Sequence, residues 1–361
     1  MKTYKHLYEE LYSYENLEYA YQRARKGRTQ KSYVLEFEKN IKKNLLELQR
    51  DLQFHSYRPK PLVSFLIKDP KVRIISKSHF RDRIVHHGIC RIIEPLFEKS
   101  FIYDSYANRL GKGTSKALER FECFKRKVSK NNTLSSYVLK ADIKKYFETM
   151  NPEILLSLVK TKIKDEKVLF LIKTILKNYS TGPGKGMPLE NLTSQFFANV
   201  YLHELDLFVK HTLKVKYYLR YVDDFIILEN DPRTLEKYKL QIQAFLKEKL
   251  SLTLHPEKSK ILYLKQGIPI LGFRIFPHHK LLRRGNMQRR IKELKKQKEL
   301  YKESFISYDE IYNSFQGWNV FARQANTFKI RSKLHQQFEK DYPKEVATVE
   351  VNRLLNRKHS H

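Results

Sequence analysis

Three acidic residues stand where acidic residues are least at home. Asp142 follows the apolar run Tyr137-Val138-Leu139, and Asp223-Asp224 sit in Tyr221-Val222-Asp223-Asp224, just before Phe225-Ile226-Ile227-Leu228. Carboxylates are disfavoured in strands and costly beside buried residues, so three of them at strand ends need compensation. A pair of divalent cations supplies it. In phosphoryl transfer two metals about 3.5–4 Å apart stabilise the attacking and departing oxygens, and hard Mg²⁺ takes oxygen ligands in octahedral geometry. Carboxylates from two neighbouring strands are a compact way to hold such a pair. The plainer reading of Asp223-Asp224 alone is a hairpin turn, because Asp is common in turns.

The elements that must position these residues read as a mixture. From Asn16 to about Phe54, apolar residues recur at helical spacing between Lys, Arg and Glu, which predicts basic helices ended by Pro59 and Pro61. Leu62 to Ile67 and Val72 to Ile75, around the turn Lys68-Asp69-Pro70-Lys71, predict a strand hairpin. A helix is expected from about Phe80 to Lys99, on the period of Ile84, Ile89, Ile92, Ile93 and Leu96. Strands at Tyr137 to Ile143 and on both sides of Asp223 alternate with helices at about 152–177 and 191–211. The fold class expected is α+β with a small antiparallel sheet. Beyond Gly285 the chain turns helical and basic, with ten Lys/Arg and two Glu between Lys280 and Lys302. The last residues, Arg357 to His361, are expected to fray.

Bulk composition narrows the partner. The 71 Lys+Arg against 39 Asp+Glu give a net charge of +32, which suits a polyanion such as nucleic acid. Apolar runs such as Val168-Leu169-Phe170-Leu171-Ile172 fall far short of the roughly 20 residues that span a bilayer, so no membrane partner is expected. The polar, Tyr-rich start lacks a secretory signal, and the expected location is the cytoplasm. Cys90 and Cys123 form neither a disulfide framework nor a zinc motif and are expected to be buried thiols. No Ser/His/Asp nucleophile arrangement is apparent. The pairs His86-His87 and His278-His279 read as structural.

Ala141-Asp142-Ile143-Lys144-Lys145-Tyr146-Phe147 and Tyr221-Val222-Asp223-Asp224 together resemble the two acidic motifs of reverse transcriptases, in which an aromatic residue follows the first Asp five positions later. Other landmarks follow in order. Arg81 to His87, Phe101 to Ala107 and Gly111-Lys112-Gly113-Thr114 resemble fingers motifs. Gly186-Met187-Pro188 through Thr193-Ser194-Gln195 and Ala198-Asn199-Val200-Tyr201-Leu202 resemble the central palm motif, with Ser-Gln where most reverse transcriptases have Ser-Pro. Leu254 to Lys260 and Ile270-Leu271-Gly272-Phe273 resemble the end of the palm and the primer grip. The resemblance runs from about Pro59 to Asn326, and points to the diversity-generating retroelement group and neighbouring unassigned or defence-associated bacterial enzymes.

That resemblance implies a right-hand polymerase fold: a basic N-terminal helical region (1–58), fingers (59–136), palm (137–276, with finger helices inserted at about 152–180), thumb (277–341) and a C-terminal tail (342–361). It implies an RNA-directed DNA polymerase that extends a 3′-hydroxyl with dNTPs on an RNA template. Two Mg²⁺ ions, with Mn²⁺ as substitute, would be held by Asp142, Asp223 and Asp224 with Ile143 beside the first. Phe147 would lie beneath the sugar of the incoming nucleotide and exclude a 2′-hydroxyl, which disfavours an RNA-dependent RNA polymerase; a buried core Phe is the competing reading. Lys112, Arg73 and Arg81 are candidate triphosphate contacts, Leu189 and Gln195 candidate nucleotide neighbours, and Arg83 and Lys258 candidate nucleic-acid contacts.

Leu189 stands where accurate viral-type enzymes keep a Gln, and low fidelity is the implied expectation. Glu190 departs from the Gly usual in the diversity-generating group. Gly272, Arg283, Arg284, Arg289, Arg290, Lys295 and Lys296 would grip a template–primer duplex, with a solvated charged face as the alternative. The N-terminal cations make a structured RNA and an accessory protein candidate partners. The rival functions are a defence enzyme that makes DNA on a dedicated RNA or without a conventional template, and an inactive polymerase fold acting as an RNA-binding scaffold.

Overall fold

Short polar breaks cut the N-terminal region into four helices: α1 (Tyr8–Tyr12), α2 (Tyr14–Arg25), α3 (Ser32–Glu38) and α4 (Ile41–Gln53). The computed structural model describes residues 2–68, 72–182, 184–189 and 191–358. Leu11, Leu17, Ala20, Leu45, Leu48 and Leu52 are buried, so the basic residues of these amphipathic helices face outward. The expected hairpin follows as β1 (Val63–Ile67) and β2 (Arg73–Lys77), antiparallel with Phe65 opposite Ile75. Asp69, Pro70 and Lys71 of its turn lie outside the described residues. Helix α5 (Phe80–Glu98) buries Ile84, Ile89, Ile92 and Ile93, and packs against α2.

Helix α6 (Thr114–Val128), which the sequence periodicity does not single out, leads to β3 (Tyr137–Asp142). The short α7 (Tyr146–Thr149) comes next, and then the stretch expected as one helix over 152–177 divides into α8 (Pro152–Lys160) and α9 (Glu166–Lys177). Asp165 forces the break, because its carboxylate caps α9 through Lys167 N and Val168 N while its other oxygen accepts from Leu7 N and Tyr8 N. Helix α10 (Leu192–Leu207) is buried on nearly every side, its polar Asn199, His203 and Asp206 included, as a helix surrounded by other elements is. Strands β4 (Tyr218–Tyr221) and β5 (Asp224–Glu229) form a hairpin, α11 (Pro232–Leu250) starts on an Asp231 cap, and β6 (Lys260–Tyr263) completes a four-stranded sheet of order β4-β5-β3-β6.

The chain divides into two compact units. One comprises 1–124 and 139–261, and the other 125–138 and 262–361. The second holds a three-stranded antiparallel sheet, β7 (Ile268–Ile270), β8 (Phe273–Ile275) and β9 (Lys280–Leu282), followed by α12 (Arg284–Lys302), α13 (Tyr308–Ala322), α14 (Phe328–Asp341) and α15 (Thr348–Lys358). Ile311, Phe315, Phe338, Tyr342 and Ala347 make its helical core. The segment 342–361, expected as a tail, thus includes a helix reaching Lys358; 359–361 lie outside the described residues. No described helix is long and apolar enough to cross a membrane. Cys90 is buried, whereas Cys123, expected to be buried, is half-exposed.

Candidate active site

Strand β3 delivers Asp142 at its last position, and the segment after α11 locks it there. His255 N donates to Asp142 O (2.7 Å), Ser259 Oγ accepts from Asp142 N (3.3 Å), and Lys258 Nζ sits 2.8 Å from Asp142 Oδ2. The β4–β5 turn delivers the other two carboxylates. Tyr221 pairs with Asp224, which leaves Val222 and Asp223 as the turn residues. Val222 has φ +54°, a left-handed conformation that costs a β-branched residue about 1–3 kcal/mol and is retained only where surroundings enforce it.

The enforcement comes from below the turn. Arg220, fully buried, donates from Nη1 to Val222 O (3.0 Å) and to Asn199 Oδ1 (3.1 Å), and grips Asp206 through Nε and Nη2 at 2.8 and 2.7 Å. Tyr218 Oη also donates to Asp206 (2.7 Å). Sequence reasoning does not single these residues out. The available signal is one charge in the otherwise apolar strand Tyr218-Leu219-Arg220-Tyr221 and two acidic residues, Glu204 and Asp206, in the mostly apolar helix α10, since buried charges must pair.

Ile143 N donates to Asp223 O (3.3 Å), which ties the two acidic segments together. Their charges interact: the Asp223 carboxyl is pushed up to about 6 by burial, then by the neighbouring charges of Asp224 and Asp142, against which Lys258 pulls weakly. An all-oxygen, mutually repelling carboxylate set is the chemistry a hard divalent cation would relieve. Among the described residues no three His, Cys, Asp or Glu side chains converge as a closed metal-ligand group. Asp142 is instead turned onto the Lys258 ammonium, a cation that also bears on Asp223.

Phe147, on α7, is half-buried. Its ring lies edge-on to Tyr146 (5.2 Å between centroids), and Tyr146 Oη is anchored on Ala198 O at 2.9 Å. Met187 N donates to Phe147 O (2.7 Å) and Gly186 N to Met150 O (2.9 Å), so the central motif and Phe147 form one piece. Gly186 is required there: its φ is +101° and a Cβ would fall 2.7 Å from Thr181 Oγ1. Leu189, Gln195 and Arg83 line a common cavity. Glu190 lies outside the described residues.

Other expected contacts are dispersed. The Lys112 ammonium donates to Tyr103 O (2.8 Å) and lies 3.4 Å above the Tyr103 ring, while Arg81 pairs with Asp51 and faces the Tyr57 ring. Arg73 is exposed on β2 opposite Ile67. In the second unit, Leu271 (φ +43°) and Gly272 (φ +91°) make the two-residue turn between β7 and β8, and Gly272 O accepts from Arg283 N (3.0 Å). Arg283, Arg284, Arg289, Lys295 and Lys296 are exposed. Arg290 departs from the expected basic surface: it is 3% exposed, bonds Glu293 and Ser314, and faces the Phe315 ring, because its turn of α12 packs against α13.

The chain belongs to the reverse transcriptase (RNA-dependent DNA polymerase) family, whose model matches residues 66–275, and the fold is the right-hand polymerase fold. The enzyme class so defined is RNA-directed DNA polymerase, a nucleotidyltransferase. Relatives include protein YkfC of Escherichia coli K12, 24% identical over 284 residues that cover 67% of this chain and 74% of YkfC. Another is the group II intron-encoded protein LtrA of Lactococcus lactis, 24% identical over 314 residues, covering 66% of this chain and 50% of LtrA. The chain thus spans only half the length of the latter. Among solved structures, apo telomerase from Candida tropicalis truncated from its C-terminal domain matches at 16% identity and TM-score 0.47, covering 64% of this chain and 58% of that one.

Proposed function

We propose that this chain copies an RNA template into DNA, extending a primer 3′-hydroxyl with dNTPs, with Asp142, Asp223 and Asp224 as its metal-binding carboxylates. The observation that carries the reading is the backbone bond from Ile143 N to Asp223 O (3.3 Å), which sets Asp142 at the end of β3 beside the β4–β5 turn that bears Asp223 and Asp224, inside the family-matched segment. Two Mg²⁺ ions, or Mn²⁺ in their place, would supply Lewis-acid activation of the attacking oxygen and charge neutralisation at the departing one. The Ile143 side chain is a buried hydrocarbon with no oxygen to offer, so only its backbone carbonyl could join the carboxylates. Phe147 fits the role of a floor beneath the sugar, and Leu189 and Gln195 that of neighbours to the nucleotide. Lys258, Gly272, Arg283, Arg284, Arg289, Lys295 and Lys296 would contact nucleic acid.

In these terms the fingers occupy 59–136, the palm 137–276 and the thumb 277–341, behind a basic N-terminal region that suits a structured RNA or an accessory protein. The apolar Leu189 favours low fidelity, and Ser194-Gln195 favours the diversity-generating group. Glu190 favours a second reading, a defence enzyme acting on a dedicated RNA. The cytoplasm is the compartment that offers such templates. The test is radiolabelled incorporation with Mg²⁺ on a primed RNA, comparing dNTPs with NTPs. Deoxynucleotide incorporation that disappears in Asp223→Ala/Asp224→Ala is expected; incorporation unaffected by that variant would refute the assignment.

A further inference from the structure

A cavity of about 230 Å³ in the second unit is walled by α13, α14 and the start of α15. Its floor is aromatic: Tyr312, Phe315, Phe338 and Tyr342 are buried, and Tyr308 is half-buried. The Tyr308 ring centre lies 6.1 Å from that of Phe338 and 5.8 Å from that of Tyr342. The rim is acidic. Glu339 and Glu345 are exposed and Glu350 is half-buried, with Lys344 as the lysine beside them. In a chain of net charge +32 this is a local reversal of sign.

The carboxylates are held mainly by neutral groups. Glu339 meets the exposed His335 at 3.3 Å, Glu345 accepts from Tyr301 Oη, and Glu350 accepts from Tyr312 Oη (2.8 Å) and Ala347 N (3.5 Å). Neither Glu345 nor Glu350 is ion-paired among the described residues. Their field reaches the rings: Tyr308 is made less acidic by burial, then by Glu350, Glu345, Glu339 and Asp309. Tyr342 adds an independent sign. Its side chain is 5% exposed and its hydroxyl has no hydrogen-bond partner among the described residues, whereas buried hydroxyls are ordinarily bonded. Arg290 bears on Tyr342 and Arg353 on Tyr312, but neither is bonded to these hydroxyls.

Aromatic faces with carboxylates at the mouth attract a cation that is itself partly apolar. A hard divalent ion fits poorly, because it needs several oxygens converging on one point and the described carboxylates form no such group. A guanidinium or primary ammonium on an alkyl stem fits both parts, its head donating to carboxylates and to the Tyr342 oxygen while its stem lies on the rings. The volume is below that of ordinary small-ligand sites and suits one such head with its stem.

We infer that this cavity binds one alkyl guanidinium or ammonium group, its charge among Glu339, Glu345 and Glu350 and its stem on Tyr308, Phe338 and Tyr342. Two sources carry that group: a basic side chain displayed by a peptide, and a free polyamine. The site lies outside the family-matched segment 66–275 and needs neither template, metal nor catalysis.

The test is titration calorimetry of the full chain with acetyl-triarginine amide and with spermidine, which are matched in charge. Trp318, the one tryptophan of the chain, stacks at 6.3 Å on Phe315 of the cavity floor, and its emission gives a second readout. Acetyl-tricitrulline amide, the neutral isostere of the peptide, is expected to bind at least about tenfold more weakly than the peptide. Glu339→Gln/Glu345→Gln is expected to weaken cation binding about three- to tenfold. Tyr308→Leu should cost about three- to thirtyfold, and Tyr308→Phe much less, because the ring face remains. Glu299→Gln, exposed on α12, should leave affinity within about twofold. Tighter binding of the peptide assigns the site to a basic side chain, and tighter binding of spermidine assigns it to a polyamine. Neither heat nor a change in Trp318 emission with either cation overturns the inference, as does a citrulline peptide that binds equally well. Unchanged affinity in folded Glu339→Gln/Glu345→Gln, or an equal loss in Glu299→Gln, overturns it too.

Discussion

The ammonium of Lys258 lies 2.8 Å from Oδ2 of Asp142, at the carboxylate a divalent cation would approach. The lysine side chain is 42% exposed, so the pair is partly screened and worth no more than about 1 kcal/mol. A metal bound through Asp142 must therefore compete with a tethered cation of modest strength. Lys258→Met is expected to tighten Mn²⁺ binding about two- to fivefold, as read by paramagnetic broadening of water relaxation. Weaker binding in the variant would show that the lysine assists the metal.

Arg220 and Asp206 make the opposite kind of pair, both wholly buried and doubly bonded. Arg220→Ala leaves the Asp206 charge stranded and releases the Val222 carbonyl, so a loss of about 3–5 kcal/mol is expected in guanidinium unfolding. Arg220→Met combined with Asp206→Leu should recover part of that loss, because no charge is left buried without a partner. A single variant as stable as wild type would show that the turn does not depend on this pair.

What the sequence made legible follows from how local each signal was. Asp142 and Asp223-Asp224 stood out because they interrupt apolar runs, and the strand pairs around them came with those runs. The β1–β2 hairpin and α5 were equally plain, being single periodic stretches. The break between α8 and α9 was not, since it depends on Asp165 capping one helix while binding Leu7 N and Tyr8 N, an interaction across more than 150 positions. The Arg220–Asp206–Asn199 network was hidden for the same reason. Arg290 misled: in a run of Lys and Arg nothing local marks the one residue that turns inward onto Phe315.

Acid should destabilise this protein through its buried histidines. His86 is held down to about 3, and His87 and His203 to about 4, in each case chiefly by burial. Their unfolded pKa is near 6.5, so between that value and the folded ones the unfolded chain binds more protons. Stability from this source is fully present above about pH 6.5 and is lost as pH falls toward 4, by up to about 1.4 kcal/mol per pH unit for each histidine. Urea unfolding at pH 7, 6 and 5 should show the decline, and His87→Gln should reduce its slope by about one proton. A slope unchanged in His87→Gln would mean that its ring titrates normally in the fold.

The last expectation concerns the sugar. The Phe147 ring is held by contacts that do not depend on a nucleotide: its carbonyl accepts from Met187 N, and its ring rests on Tyr146, itself pinned to Ala198 O. Truncation to Val should therefore open space, because neither Tyr146 nor the Gly186-Met187 segment is free to fill it. If that space lies beneath C2′ of the nucleotide, a 2′-hydroxyl then fits. Phe147→Val is expected to raise kcat/KM for NTPs by about 10- to 100-fold, the range that one or two carbons' worth of steric exclusion commands, with a smaller change for dNTPs. Single-nucleotide extension on one RNA template, with each dNTP and NTP compared, reads the ratio directly. If the variant rejects NTPs as strongly as wild type does, discrimination resides elsewhere and Phe147 is a core residue.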